Sequence, residues 1–467
     1  MRSAFPLAAS QALGVLLVGL LLATLVSTLQ VGMMLGGVLA VGFLLLFLAS
    51  PEWGLLLLLL ARASSDAFTS YAVVGGGVLG GLANLGLGLI LTFAGGVYVL
   101  SRSVPLISLP GGRLLALLLV TGLIGVLRSN SLLFSMRQWV PVLTSFVVYA
   151  LAARLFVGSR QAQRVVDVIG VSFILPAGLG VYQLITGTGA SRYEFEFPAV
   201  VGTFVHPNIF GHFLVLVIAL FLGQALYQTG RRRVVAAASV VLALLLLVGT
   251  YARAAWVGAL IVFFAIGILR ARALLALVTV GALITFGSGL VPSIGERFAD
   301  PLAAGGSLGD RLFRLWPATW QAWLSATGSE GGGFLVVVNR LAGLGPGIGL
   351  ALSRYGLQEQ PHNDYLRVLV EYGIFGLVLY LALTIGLVLM AFRTWRDVRS
   401  TDRAAAAIAL SFLAFAVAFP VMSITDNVFA QTVDQLYFWT LAGLTVAMRT
   451  LTRPQTEASQ VARAGEL

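Results

Sequence analysis

The sequence lacks cysteine and lysine altogether and has few charged residues, which narrows the chemistry that the protein can support. Without cysteine, disulfide bonds and thiolate chemistry are excluded. Only 10% of the residues are charged, whereas 59% are hydrophobic and the mean hydropathy is +0.97. An ordinary soluble domain is far less apolar. The composition therefore predicts an all-α, polytopic integral membrane protein.

Other patterns are also missing. The sequence shows no internal repeat, which argues against a transporter built from inverted repeats. Its first hydrophobic segment, residues 5–28, is too long for a cleavable signal peptide and lacks a clear cleavage site, so we expect it to remain as a span. No cluster of metal-ligand residues is visible, and we expect neither a metal ion nor another cofactor.

Hydrophobic segments long enough to cross a bilayer predict about twelve to fourteen transmembrane helices. They divide the chain into N-terminal transmembrane helices over residues 1–291, one large loop over 292–361, C-terminal transmembrane helices over 362–448 and a tail over 449–467. We expect these parts to form a single membrane domain.

The distribution of arginine predicts the orientation of the chain. All 29 basic residues are arginines, and the net charge is +11. Even spacing of the spans puts the larger group of arginines on one side, which is the cytoplasmic side by the positive-inside rule. Both termini then lie in the cytoplasm, and the large loop and all three histidines face outward. We expect membrane lipids, including anionic headgroups near the run 231–233, and not nucleic acid, as partners of this charge.

The most informative segment is HNDYLRVLVEYGIFG, which begins with His362 at the start of an apolar helix. An imidazole can accept a proton near neutral pH. Asn363 and Asp364 can orient it or cap the helix, and Arg367 follows one turn later. Because the N-terminal end of a helix favours negative charge, the segment predicts a site for an anionic substrate with a base beside it.

Arginines at span boundaries are further candidates. Arg192, Arg253 and Arg311 face outward in this topology, where the positive-inside rule disfavours arginine, and Arg314 follows within the large loop. A guanidinium binds phosphate oxygens through two hydrogen bonds. The competing interpretation is simple pairing with the many acidic residues of the same side, and it applies to most of the outer arginines.

An amphipathic helix is predicted in the large loop. Leu312, Trp316, Trp320 and Trp323 recur at helical spacing, and tryptophan favours the membrane interface. The helix could lie on the outer leaflet or pack on the bundle, and both alternatives place Arg311 near the membrane surface. After it comes GLGPGIG, which predicts a tight turn and only weakly suggests a phosphate cradle.

The remaining histidines, His206 and His212, are six residues apart, which is not the spacing of a metal-binding pair on a helix. We expect His206 to cap the following span at its outer end and His212 to pack below it. The sequence gives neither of them a catalytic role.

Several of these segments together resemble one family. His362 and Asn363 are followed by nine residues, Gly373, two residues and Gly376, which resembles the histidine motif of the bacterial O-antigen ligases. The likeness runs from about residue 192 to the end of the chain. Further matching pieces are Arg311 and Leu315 in RLFRL, Arg253 in GTYARAAWVG, the segment GTFVHPN and the segment GLGPGIG.

The resemblance implies a function. O-antigen ligases transfer a polysaccharide from undecaprenyl diphosphate to the lipid A core oligosaccharide at the periplasmic face of the bacterial inner membrane, without metal. It implies His362 as the general base and arginines, first Arg253 and Arg311 and then Arg192, as the groups that hold the diphosphate. Asp426, in SITDNVF, resembles a further polar position that steers an arginine or the acceptor.

Three alternatives stay open at this point. An O-antigen polymerase or a ligase that glycosylates protein would use the same carrier. A transporter or flippase for a lipid-linked substrate belongs to a different class and would place polar residues deep in several spans. The single long loop and the intact histidine motif favour the ligase.

Overall fold

The computed structural model describes residues 31–70, 78–102, 106–129, 131–190, 198–276, 279–281, 307–325, 332–347 and 360–450. The helices, in chain order, are α1 (Val31–Ala49), α2 (Pro51–Ser70), α3 (Val78–Ser101), α4 (Gly112–Leu127), α5 (Leu132–Leu155), α6 (Ser159–Thr186), α7 (Pro207–Tyr227), α8 (Gly230–Gly249), α9 (Arg253–Leu269), α10 (Ser307–Asp310), α11 (Trp316–Ser325), α12 (Gly332–Ala342), α13 (Asp364–Val398), α14 (Arg403–Met422) and α15 (Thr432–Thr450). A π-helical segment, Arg311–Leu315, joins α10 to α11, and 3-10 turns lie at Leu106–Ser108 and Val428–Ala430.

The helical membrane architecture is confirmed. Six of the helices in the described ranges, α5 to α8, α13 and α14, are long and apolar enough to cross a membrane, and shorter apolar helices accompany them. Apart from an antiparallel bridge between Ala190 and Ala199, these ranges contain no extended pairing. The total of twelve to fourteen spans and the domain boundaries stay predictions, because residues 1–30, 282–306 and 451–467 lie outside the described ranges.

Helix α7 lies at the centre of the bundle. In its most apolar window 89% of residues are buried, compared with 33% in the neighbouring α8. It packs against α8, α9 and α14, and small residues make these contacts close. A Cβ added to Gly211 would lie 2.9 Å from the Cβ of Ala255, and one added to Gly223 would overlap the Ser411 side chain. The start of α7 is thereby held against the start of α9.

Helix α13 is interrupted at Gly373, which has φ 70° and ψ −170°. A residue with a side chain rarely adopts this conformation. The break releases two carbonyl oxygens from the helical ladder: Val370 O accepts from Leu344 N at 2.8 Å, and Glu371 O accepts from Gly345 N at 3.0 Å. The glycine-rich turn therefore docks onto the break in α13.

The same turn also packs closely against Glu371 of α13. Gly347 N donates to Glu371 Oε1 at 3.0 Å, and a Cβ on Gly343 would lie 2.2 Å from Glu371 O. The described part of the turn, residues 343–347, thus braces α13, and the suggestion of a phosphate cradle gains no support there.

The helices of the large loop pack on α13. Leu315 and Ala322 form a small buried cluster with Val370, and Trp316 Nε1 donates to Pro361 O at 2.9 Å. Of the two predicted alternatives, packing on the bundle is the one that these contacts favour. Trp316 is consequently held next to the residue that precedes His362.

Candidate active site

His362 lies between the loop and α13 in a strained conformation. Its φ of 48° is positive, which is uncommon for a residue with a side chain and often marks a functional position. Its Nδ1 lies 3.2 Å from Asp426 Oδ1, and 34% of its side chain is exposed, compared with 5% for Asp426. A carboxylate accepts hydrogen bonds, so Nδ1 carries the proton and Nε2 is left with its lone pair. The histidine is thus oriented as a base.

Asp426 is fixed by several donors. Asn208 Nδ2, at the start of α7, donates to its Oδ2 at 2.6 Å, and Asn427 N donates to its Oδ1 at 2.9 Å. Burial by itself would raise the pKa of the Asp426 carboxyl. The hydrogen bond from His362 and nearby positive charge, including that of Arg311, outweigh that effect and lower the pKa below its ordinary value. Asp426 is therefore a carboxylate.

Asn363 and Asp364 are buried, at 7% and 0% exposure, and they join His362 to the segment before α15. Asn363 caps α13 by accepting from Leu366 N at 3.0 Å, and its own N–H donates to Asn427 Oδ1 at 3.0 Å. Asp364 Oδ2 accepts from Phe429 N at 2.7 Å. These contacts brace the His362–Asp426 pair, while a direct contact of either residue with substrate stays a prediction.

Arg311 lies beside the pair. Its Nη1 donates to Thr425 O, in the residue before Asp426, and its charge acts on the Asp426 carboxylate. Arg314 points elsewhere: it is exposed and its Nη2 donates to Asp310 Oδ2 at 2.7 Å. The hydrogen bond from Arg314 lowers the pKa of the Asp310 carboxyl. The geometry thus favours Arg311 over Arg314 as a substrate group.

Arg253 is the first residue of α9, and its side chain is half-buried. The contact between Gly211 of α7 and Ala255 of α9 places it at the same end of the bundle as Asn208. The positive end of the α9 dipole adds to its charge there. The starts of α7, α9 and α13 are therefore gathered at one end of the bundle.

Two other predicted substrate arginines differ from these. Arg367 is 6% exposed, and its Nε lies 3.2 Å from Glu371 Oε2, so it is part of the buried support of α13. A buried guanidinium with its own carboxylate has its charge balanced already. Its contact with substrate stays a prediction. Arg192 lies outside the described residues.

The other histidines have separate roles. His206 caps α7, and its Nδ1 accepts from Asn208 N at 3.1 Å. His212 is 1% exposed and lies between Asp426 and Asp434. The six-residue spacing of His206 and His212 bears only on metal binding, so the sequence pattern gave His212 no part in the site. A histidine within an apolar span was the available signal, since a polar group there needs partners.

The arrangement suits proton abstraction next to an anion. An exposed imidazole nitrogen, a buried carboxylate behind it and a neighbouring arginine have the geometry of an oriented base with a charge-stabilising group. Among the residues that the structure describes, no group of three or more His, Cys, Asp or Glu side chains is arranged to hold a metal ion.

The comparison with protein families agrees with this geometry. The family described as O-antigen ligase matches residues 237–381. The matched segment contains Arg253, Arg311 and His362 but ends before Asp426. The resemblance is thereby confirmed for this part of the chain, which is similar to the O-antigen ligase domain. No curated protein matches the chain significantly.

Proposed function

We propose that the protein transfers O-antigen polysaccharide from undecaprenyl diphosphate to the lipid A core oligosaccharide, at the periplasmic face of the bacterial inner membrane. The observation that carries the proposal is the His362–Asp426 pair at 3.2 Å, with Arg311 beside it in the family-matched segment. The carboxylate orients the base, and the arginine supplies fixed charge near the reacting groups.

In the proposed reaction an acceptor sugar hydroxyl attacks the anomeric carbon of the donor glycan. His362 Nε2 takes the hydroxyl proton, a new glycosidic C–O bond forms, and the bond to the diphosphate oxygen breaks. A positioned base contributes about 10²- to 10⁴-fold to such a step. The lipid diphosphate departs with the electron pair of the broken bond.

Arg253 and Arg311 hold the departing diphosphate in this proposal, and Arg192 adds to them. Fixed positive groups aimed at developing charge contribute on the order of 10²-fold or more each. Arg311 is suited to this role because Thr425 O already holds its guanidinium next to Asp426. The chemistry calls for neither a metal ion nor another cofactor.

A two-substrate reaction tests the function. Purified protein in lipid vesicles receives a carrier-linked glycan and a lipid A core acceptor, and released lipid diphosphate and glycosylated acceptor are measured. We expect both products only when both substrates are present. Growth of carrier-linked chains would indicate a polymerase, glycan on protein would indicate a protein ligase, and movement of intact donor across the bilayer without bond cleavage would indicate a transporter.

Single cysteines test the orientation in this cysteine-free chain. Ser307→Cys, in the large loop, should react with a membrane-impermeant thiol reagent in intact spheroplasts. Ser400→Cys, between α13 and α14, is the matched control and should react only after the membrane is opened. Labelling of Ser400→Cys alone in intact spheroplasts would place the site on the cytoplasmic side.

A further inference from the structure

A second histidine lies behind Asp426, on the side away from His362. His212, in the middle of the bundle on α7, is 1% exposed. Its Nε2 lies 3.6 Å from Asp426 Oδ2, and its Nδ1 lies 3.3 Å from Asp434 Oδ2 on α15. Each ring nitrogen therefore lies within ion-pair distance of a carboxylate oxygen.

This arrangement restricts the proton count of the ring. A neutral imidazole has one N–H donor and one lone pair, so one of its nitrogens would turn a lone pair toward a carboxylate oxygen. An imidazolium presents an N–H to both. The positive charge of the imidazolium also balances the negative charge of one of the two buried carboxylates. Burying a carboxylate without a positive partner costs free energy.

The other charged groups around the ring favour the same state. Asp364, at the start of α13, is a further acidic group close enough to act electrostatically on His212. The positive groups of the surroundings act on the carboxylates: Arg62 of α2 on Asp434, and Arg311 on Asp426. Arg62 is also paired with Asp66 at 2.8 Å. The described surroundings of the ring are thus negative, which stabilises the imidazolium.

We propose that His212 is held as an imidazolium between Asp426 and Asp434 and that it is a positioning residue for His362. Its charge keeps the Asp426 carboxylate ionised in the place where it accepts from His362 Nδ1. The proposal rests on the proposed role of His362 as a base. It adds that the net charge behind that base is set by a residue outside the family-matched segment.

The sign of the effect on the pH–rate profile follows from the charges. Transfer needs His362 without its second proton, so the rate falls on the acid side. Loss of the His212 charge leaves more negative charge beside His362, so His362 holds its second proton more firmly. The acid limb, which is the part of the pH–rate profile where the rate falls with falling pH, then moves to higher pH. Loss of the Asp426 charge would move the limb to lower pH. We expect shifts on the order of one pH unit.

The central variant is His212→Gln, which is close to histidine in size and keeps one hydrogen-bond donor group, but removes the charge and the second donor. We expect the acid limb to move to higher pH and the unfolding temperature in lipid to fall, because Asp426 and Asp434 lose their shared partner. The double variant His212→Gln/Asp434→Asn restores the net charge of the cluster. We expect it to return both the limb and the unfolding temperature toward the wild-type values.

Gln224→Met, farther along α7, is the control for loss of a buried polar side chain without change of charge, since Gln224 is 3% exposed. It should leave the limb in place. The proposal is overturned if His212→Gln keeps the wild-type limb, or if the double variant unfolds as early as His212→Gln. Failure of the proposed function would give a different result, because the wild-type protein would then transfer no glycan. The unfolding temperatures of His212→Gln and of the double variant would still test the charge of His212.

Discussion

Replacing Asp426 by asparagine should impair transfer almost as much as removing His362, although the two side chains have nearly the same shape. The carboxylate now accepts from three donors: Asn208 Nδ2 at 2.6 Å, Asn427 N at 2.9 Å and His362 Nδ1 at 3.2 Å. An amide has one accepting oxygen and one donating NH₂ group. It cannot satisfy donors on both sides.

The close contact with Asn208 decides how the amide turns. If its oxygen accepts from Asn208, its NH₂ group faces His362 Nδ1, which must then accept a hydrogen bond. The proton of the imidazole moves to Nε2, and the base is lost. The contribution of a positioned base, about 10²- to 10⁴-fold, equals about 3 to 5 kcal/mol of barrier. We therefore expect Asp426→Asn to lose at least about 10²-fold in transfer, as His362→Ala does.

The exchange of the two side chains provides a matched rescue. In Asn208→Asp/Asp426→Asn the new carboxylate can accept from the amide NH₂ group, which leaves the amide oxygen to accept from His362 Nδ1. We expect part of the lost rate to return. The assay is initial transfer rate in vesicles with both substrates, with thermal unfolding in the same lipid as the folding control.

Two results would refute this reasoning about the tautomer. Asp426→Asn with more than about a tenth of the wild-type rate would mean that the carboxylate does not orient the base. A folded exchange variant that is no more active than Asp426→Asn would mean that the hydrogen bond from Asn208 does not determine the direction of the amide.

Three other perturbations test separate parts of the structure. Arg253→Lys and Arg311→Lys should each lose nearly as much transfer as the alanine variants, because lysine keeps the charge but not the two parallel hydrogen bonds to phosphate; near-normal rates would indicate ordinary ion pairs. Gly373→Ala should lower the unfolding temperature clearly, because residue 373 has a positive φ and its new Cβ would lie 2.3 Å from Leu341 O. Gly386→Ala in the same helix is the control and should be tolerated, because its Cβ would meet nothing within 4 Å. The lowered pKa of Asp426 stabilises the folded protein above the ordinary pKa of an aspartate, about 3.9, and this stabilisation is lost as the pH falls. The unfolding temperature of the wild-type protein should therefore drop more between about pH 5 and pH 3 than the unfolding temperature of Asp426→Asn.

The fold class could be predicted from composition because a bilayer leaves an apolar chain few alternatives to spanning helices. His362 and Arg311 could also be singled out, since each lies in a local pattern. Their mutual geometry could not be predicted. Asp426 is 64 residues from His362, and their contact depends on how α14 returns the chain to the start of α13.

The glycine-rich turn shows the same limit. Three of its glycines have positive φ, so the prediction of a tight turn from GLGPGIG agrees with the structure. The partner of the turn could not be read from its own sequence. Gly373 releases Val370 O and Glu371 O by interrupting α13, and only the folded chain brings Leu344 and Gly345 to those oxygens.

His212 was missed for a more general reason. A local sequence motif identifies residues whose exposed atoms act on a substrate, and His362 is proposed to be such a residue. The groups that set the charge of an active site are buried, and each buried charge requires a partner of opposite sign, which is supplied by whichever helix lies next to it. Asp426 lies next to His212 on α7, and His212 lies next to Asp434 on α15. The charge of Arg62 on α2 acts on Asp434, and Arg62 also donates to Thr432 at 2.9 Å. The chemistry proposed for the matched segment therefore depends on helices from distant parts of the chain, from α2 to α15.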